Sequence, residues 1–215
     1  MYLTKSLRRE LRVLRYEFKV FRQHRGALKR ARQFRGQTGL KLNVGSGPHR
    51  REGWVHLDRH AAADLPVDLR EPLPFSDGAA REIYSEHFFE HLDYPKQATA
   101  FLKECLRVLE PGGLLSFGVP DTEWPLLAYA EKADGYFEAA RGQFHPAWCN
   151  TRLHHLNFHF RQGNEHKYAY DFETLKAVLE KAKFENVTRR EFDPAQDSAD
   201  RKLGTLYVTA RKPQG

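Results

Sequence analysis

Residues 40–58 read LKLNVGSGPHRREGWVHLD, and this stretch decides the fold. Leu40 to Val44 is a short apolar run of strand type that ends in Gly45-Ser46-Gly47-Pro48. Glycine tolerates positive φ and carries no Cβ, so a Gly-x-Gly turn after a strand lets a ligand lie against bare backbone. A second strand, Trp54 to Leu57, delivers Asp58 at its carboxyl end. In an open α/β sheet ligands sit outside the carboxyl ends of the strands, where an acid can hold a ribose diol through two hydrogen bonds. Strand, glycine turn, strand and acid together spell a nucleoside site.

Spacing narrows the nucleoside. A dinucleotide fingerprint needs G-x-G-x-x-G opening a helix, with its acid about 20 residues on, and here Arg50 stands in the third glycine position. Only Gly45 to Gly53 separate the strands, too few for the usual crossover of at least about 10–12 residues with its helix. Without a helix N-terminus a pyrophosphate loses its seat. A cofactor with a ribose and no phosphates fits better, and S-adenosylmethionine is one.

Further motifs follow in order: Gly53-Trp54, Asp58, Asp68-Leu69-Arg70-Glu71-Pro72-Leu73-Pro74-Phe75, Glu90-His91-Leu92 and Arg107-Val108-Leu109-Glu110-Pro111-Gly112-Gly113. Together they resemble a class I S-adenosylmethionine-dependent methyltransferase, in particular a small bacterial group often associated with glycan and polysaccharide biosynthesis. The resemblance is dense over residues 40–121 and thinner over 168–212. It implies an α/β, Rossmann-like, seven-stranded mostly parallel sheet with flanking helices, and S-adenosyl-L-methionine as cofactor. It puts cofactor contacts on Asn43, Gly45, Ser46, Gly47, Asp58, Asp68, Leu69, Ser85 and Glu86. Asp64 competes with Asp68 for the role near the adenine amine, since acidic turn residues are common. The group has glycine where Lys183 stands, so a different helix end is expected there.

The chain's net charge of +7 is unevenly placed: twelve Lys and Arg against Glu10 and Glu17 give residues 1–40 a charge of +10, leaving −3 for the rest. Leu3, Leu7, Leu11, Leu14, Phe18, Phe21 and Leu28 step by three and four, which predicts a basic amphipathic helix from residue 3 to about 34. The expected organisation is a helical arm over 1–38 and a methyltransferase domain over 39–215. Such an arm can pack its stripe on the domain or on a second copy, or lie on an anionic membrane surface. Nucleic acid is not the expected partner, since no recognised binding module accompanies the charge. No run of about 18 apolar residues implies a membrane span, and the N-terminus lacks a signal core. The two cysteines, Cys105 and Cys149, suit a reduced cytosolic setting, with the arm as a means of attachment to the inner face of the membrane.

Beyond Asp58 the chain alternates. Strands are expected at Leu65–Leu69, Arg81–Ser85 and Leu114–Val119, with a helix from Tyr94 to Leu109 capped by Asp93. Glu123–Lys132 and Phe172–Lys183 read as helices, the second capped by Asp171, and Val187–Phe192 with Leu203–Ala210 as a closing antiparallel pair. Between about 133 and 169 periodicity fails and aromatics and histidines crowd in, the composition of a lid or substrate insertion.

Methyl transfer is a direct displacement, so the protein mostly aligns nucleophile, carbon and sulfur, and an oxygen nucleophile must also lose a proton. His87 follows the fourth strand, Asp121 the fifth, and His166 precedes Tyr170-Asp171, where the resembling group also carries a histidine; these three are the catalytic candidates. His87-Phe88-Phe89-Glu90-His91 also spells H-x-x-E-H, an inverted zinc-protease signature, and His155 with His159 stands one helical turn apart. Within a nucleoside-binding framework the histidines read instead as packing groups and a polar, aromatic substrate wall, and no metal is expected. The expected acceptor is a small molecule, a sugar or glycan precursor methylated on oxygen. RNA methylation is the alternative, though the Asn/Asp-Pro-Pro-aromatic turn of base-amine enzymes is replaced here by Ser85-Glu86-His87-Phe88. A non-catalytic scaffold retaining the fold is the other.

Overall fold

The computed structural model describes residues 4–215; Leu3, the first position of the expected stripe, lies outside the described residues. Apolar runs pair into one seven-stranded sheet: β1 (Leu40–Val44), β2 (Val55–Asp58), β3 (Leu65–Pro66), β4 (Ala80–Glu86), β5 (Leu109–Pro120), β6 (Glu185–Arg189) and β7 (Thr205–Arg211). Their spatial order is β3-β2-β1-β4-β5-β7-β6. Five strands are parallel neighbours, while β7 runs antiparallel to both β5 and β6. The fully buried Leu42, Val44, Ile83, Leu115, Phe117 and Val119 lie in its central strands, as expected of a parallel sheet covered on both faces. This is the Rossmann-like sheet that the motifs imply.

The short connection noted in the sequence has a structural counterpart. β1 and β2 pair in parallel, Leu42 opposite Val55, with no helix between them. The linking loop is held by side chains instead. His56 Nε2 accepts the backbone N–H of Arg51 (2.8 Å), so its Nδ1 carries the proton and donates to Asp64 Oδ2 (2.9 Å), and Arg50 pairs with the other oxygen of Asp64. Burial raises the Asp64 carboxyl, but bonds from His56 and Arg50 outweigh it and hold the group below its usual range.

Helices cover the sheet: α1 (Lys5–Ala31), α2 (Lys96–Val108), α3 (Glu123–Ala130), α4 (Gly135–Ala140), α5 (Arg152–Arg161) and α6 (Phe172–Lys181). α2 buries Ala98, Phe101, Leu102, Cys105 and Val108. Its expected cap is not formed: α2 begins later, after Pro95, without a side-chain cap, and Asp93 contributes its backbone carbonyl to Gln97 N–H. Asp171 does cap α6, accepting Thr174 N–H at 2.8 Å. Lys183 after α6 adopts φ 74°, the left-handed conformation glycine usually supplies at a helix end. The helix therefore stops as glycine would stop it, and the expected difference is absent.

Two expectations need correction. The third strand is two residues, Leu65–Pro66, because Val67 N–H turns back to Leu65 carbonyl. The 133–169 insertion is not irregular: it contains α4 and α5. α5 is capped by Thr151, which accepts His154 N–H at 3.2 Å. Tyr136, Phe137 and Ala140 of α4 form a small second core with Ala128 of α3. Periodicity missed them because α4 is shorter than two turns and α5 buries histidines, His155 and His159, where apolar residues would mark a face.

α1 runs unbroken through Gly26 and buries Val20, Ala27 and Ala31. Glu17 pairs with Arg70 (2.7 Å), and His24 Nδ1 accepts Asp68 N–H (3.2 Å). The expected stripe faces outward: Leu14 and Phe18 are 65% and 60% exposed.

In the main core Phe117 stacks on Phe89 at 4.9 Å between ring centroids. Phe117→Ala is expected to cost about 3–5 kcal/mol of unfolding free energy, read from urea denaturation; a loss below about 1 kcal/mol would place this contact outside the core.

Candidate active site

The glycine turn is tied directly to the end of β2. Gly45 and Ser46 N–H groups donate to Leu57 carbonyl at 2.8 and 3.3 Å. Gly47 N–H donates to Asp58 Oδ2 (2.9 Å), and His60 N–H to Asp58 Oδ1 (2.7 Å). One acid thus fixes both loops while each of its oxygens keeps a lone pair for a ligand. Gly45 has φ 73°, and a Cβ there would stand 2.3 Å from Phe88 Cβ, so only glycine fits. A cleft of about 490 Å³ opens over this turn, lined by Gly45, Gly47, Asp58, Asp68, Leu69, Phe88 and His91, with Tyr16 of α1 and Lys167 also on its wall.

Asp68, not Asp64, lies in this cleft. Arg70 grips both its oxygens, Nε at 2.9 and 3.0 Å and a terminal nitrogen at 2.6 Å. Burial raises the Asp68 carboxyl, and the Arg70 bonds more than offset it, leaving a carboxylate held below its usual range.

Where β4 ends, His87 turns with φ 53°, a left-handed conformation that costs a non-glycine residue about 1–3 kcal/mol and clusters at functional sites. Its Nε2 lies 2.8 Å from Thr205 Oγ1, whose own proton goes to Arg201 carbonyl at 2.6 Å. The hydroxyl therefore accepts, Nε2 carries the ring proton, and Nδ1 keeps a bare lone pair. Burial, reinforced by the nearby Arg201 charge, pushes the imidazole down to about 3, so it is neutral at physiological pH.

His87 and Arg201 line this first cleft and also a second cavity of about 340 Å³. This second space is walled by Tyr136, Phe144, His145, Phe158, His159 and His166. Burial pushes His145 down to about 3 and His159 to about 4, so these two imidazoles are neutral and the wall's charge comes from Arg201 and Asp200. His155 and His159 do not form a pair: His155 Nδ1 meets His145 Nδ1 at 2.8 Å, while His159 bonds Thr122 Oγ1 (3.2 Å) and Tyr136 Oη (3.3 Å).

Of the sequence candidates, Gly45, Gly47, Asp58, Asp68, Leu69 and His87 converge on the first cavity, and His166 lines the second. Asn43 and Ser46 are buried beneath the turn and line neither. Ser85 is buried with its hydroxyl unbonded. Glu86 serves the C-terminal segment: its carboxylate accepts Ser198 Oγ (2.6 Å) and Tyr207 Oη (3.1 Å) and lies 3.6 Å from Arg201. Asp121 accepts Glu123 N–H at 3.0 Å just outside both cavities, its carboxyl raised by burial. Sequence reasoning missed Arg201, which sits in an aperiodic stretch and reaches the site only because its guanidinium donates to Glu86 carbonyl at 2.9 Å.

Asp58→Ala is expected to weaken S-adenosylmethionine binding by about 1–3 kcal/mol, the scale of lost buried hydrogen bonds, in isothermal titration. An unchanged affinity in a folded variant would remove Asp58 from the cofactor site.

Comparison with known proteins agrees with this fold. Residues 53–117, less than half of the chain, match a family model described as a methyltransferase domain. No curated protein matches. A solved S-adenosylmethionine-dependent methyltransferase from Methanosarcina mazei is similar at 16% identity and TM-score 0.53, covering 86% of this chain and 97% of that one. Another from Archaeoglobus fulgidus is similar at 16% identity and TM-score 0.51, covering 93% and 99%. The chain has the class I methyltransferase fold, and S-adenosylmethionine is its cofactor.

Proposed function

We propose that this protein methylates an oxygen of a small acceptor, a hydroxyl on a sugar or glycan precursor. The observation that carries the reading is the junction: cofactor cleft and second cavity share His87 and Arg201 and no other residues. A methyl donor in the first and an acceptor in the second would meet there, where alignment supplies most of the rate. Neutral imidazoles suit a hydroxyl-rich acceptor, because a bare ring nitrogen accepts a hydroxyl proton's hydrogen bond without adding charge. His87 Nδ1 is such an atom at the junction. Asp121, outside both cavities, supports the helix start at Glu123 and takes no part in this reading. Arg201 bordering the acceptor space favours an acceptor with an anionic substituent, such as a sugar phosphate.

Incubation with S-adenosylmethionine and a panel of sugars, sugar phosphates and glycan precursors should yield S-adenosylhomocysteine and a methyl ether, resolved by mass spectrometry. Arg201→Gln is expected to raise KM for a phosphorylated acceptor about 10–100-fold, the scale of losing a charged hydrogen bond, with little change for a neutral one. Product methylated on a base amine of RNA would replace this reading with the nucleic-acid one, and cofactor binding with turnover of no acceptor would favour a scaffold.

The outward stripe of α1 supports a second role. No described helix is long and apolar enough to cross a membrane, but arginines flanking Leu11, Leu14 and Phe18 suit shallow insertion into an anionic leaflet. Because Val20, Ala27 and Ala31 are buried, removing the whole arm would disturb the fold, so point changes are the cleaner probe. Leu14→Ser with Phe18→Ser is expected to abolish co-sedimentation with phosphatidylglycerol vesicles while leaving the melting temperature unchanged. Equal partitioning of wild type and variant would sink the idea, and a concentration-dependent mass lost in the variant would assign the stripe to self-association.

A further inference from the structure

Beside the junction lies a group of atoms that methyl transfer as described leaves unused. Glu90 is 2% exposed, yet neither of its carboxylate oxygens has a hydrogen-bond partner among the described residues. His166 Nε2 is likewise buried and unbonded. The other nitrogen of that ring, Nδ1, is 2.7 Å from His159 carbonyl. A carbonyl only accepts, so Nδ1 carries the proton and Nε2 presents a lone pair. His91 repeats the pattern: Nδ1 donates to Glu165 carbonyl at 3.1 Å, and Nε2 lies 3.8 Å from Glu90 Oε1.

The ligand atoms of Glu90, His91 and His166 all fall within 4.8 Å of one another. Of these atoms, Glu90 Oε1 and Oε2 and His166 Nε2 are buried and unpaired among the described residues, and leaving them so is costly. One water offers two protons to more lone pairs than it can serve, whereas a cation serves them all. Each histidine also donates its remote N–H to a backbone carbonyl, the arrangement that orients imidazoles toward a metal. The fold builds the convergence deliberately: Lys167 and Tyr168 N–H groups both donate to Glu90 carbonyl (2.8 and 3.3 Å), stitching the end of the insertion to the turn that carries Glu90 and His91.

We propose that Glu90, His91 and His166 hold one divalent first-row transition-metal ion at the junction of the cofactor cleft and the acceptor cavity. Two imidazoles and one carboxylate suit such an ion better than calcium or magnesium, which take oxygen ligands. Bond lengths of about 2.0–2.2 Å require the three atoms to draw together slightly on binding. Three protein ligands leave positions open, and His166 and His91 border the two cavities, so an acceptor hydroxyl can complete the shell. This role, unlike the binding itself, rests on the methyl-transfer reading. A hydroxyl held there would give up its proton to solvent, with His87 Nδ1 accepting its hydrogen bond on the way. An oxygen lone pair forms the new C–O bond as the C–S pair returns to sulfur, leaving S-adenosylhomocysteine neutral at sulfur. The second histidine cluster, His145, Cys149 and His155, is the weaker candidate, because His145 and His155 already bond each other.

The test uses the full chain, stripped with chelator and titrated with Co²⁺, Zn²⁺ and Mn²⁺. Metal content after dialysis and the visible Co²⁺ absorption are read alongside calorimetry with S-adenosylmethionine. About one equivalent of ion per chain is expected, with affinity at least roughly tenfold weaker in Glu90→Gln and in His166→Asn, a loss no smaller than second-shell changes produce. His154→Asn, a change on α5 away from the three ligands, should bind as wild type. If Glu90→Gln fails to fold, His166→Asn on the cavity wall decides alone. No binding of any of the three ions below millimolar concentration, or unchanged binding in a folded His166→Asn, overturns the proposal. Ion binding without cofactor binding would instead overturn the methyl-transfer reading and leave the metal site standing.

Discussion

Phe88 occupies the space that a side chain at position 45 would need, and this single close approach organises the catalytic end of the sheet. It presses the turn after β4 against the turn after β1, with only 2.3 Å available where a Cβ would stand. On one side the contact leaves glycine backbone as the floor of the cofactor cleft. On the other it fixes the segment that runs through His87, Glu90 and His91, with His87 in a left-handed conformation at the border of both cavities. Such strain persists only where the surroundings over-determine it. Here they do: His87 N–H donates to Gly118 carbonyl at 2.8 Å, and its ring donates to Thr205.

The loss of a helix between β1 and β2 is met by a different kind of support. Where a longer crossover would pack apolar side chains, this loop is held by His56, Asp64 and Arg50. Asp58 ties the turn to the strand beside it. Hydrogen bonds to charged partners are directional and stronger than neutral ones, so few residues hold a short loop in one geometry. Position 64 thereby becomes a clamp on the loop, and Asp68, gripped by Arg70, faces the ligand space.

The basic arm belongs to the site as well as to the surface. Glu17 and His24 reach Arg70 and Asp68, and Tyr16 borders the cleft. Its docked face is small, with Val20, Ala27 and Ala31 buried, while the larger apolar side chains point outward. The helix thus docks through its smaller apolar residues and leaves Leu14, Phe18 and Phe21 in solvent.

Much of this molecule was legible in the sequence. The apolar runs, the glycine turn and the acid after β2 determined the parallel sheet and the cleft above it, because strand period, turn chemistry and charge position are local properties. So was the cap of α6, a matter of four consecutive residues. The helices of the insertion were not legible, since α5 turns histidines inward and carries no apolar period. Nor were the placement of Arg201, the diversion of Glu86 to Ser198 and Tyr207, or the meeting of His166 with Glu90 and His91. These depend on contacts between segments some 75 to 120 residues apart, which only closure of the sheet and docking of the insertion bring within hydrogen-bonding reach. The sequence by itself determined the sheet and the glycine turn at its carboxyl end; tertiary structure decided what stands opposite that turn, because proximity across the carboxyl ends of strands belongs to no single stretch of chain.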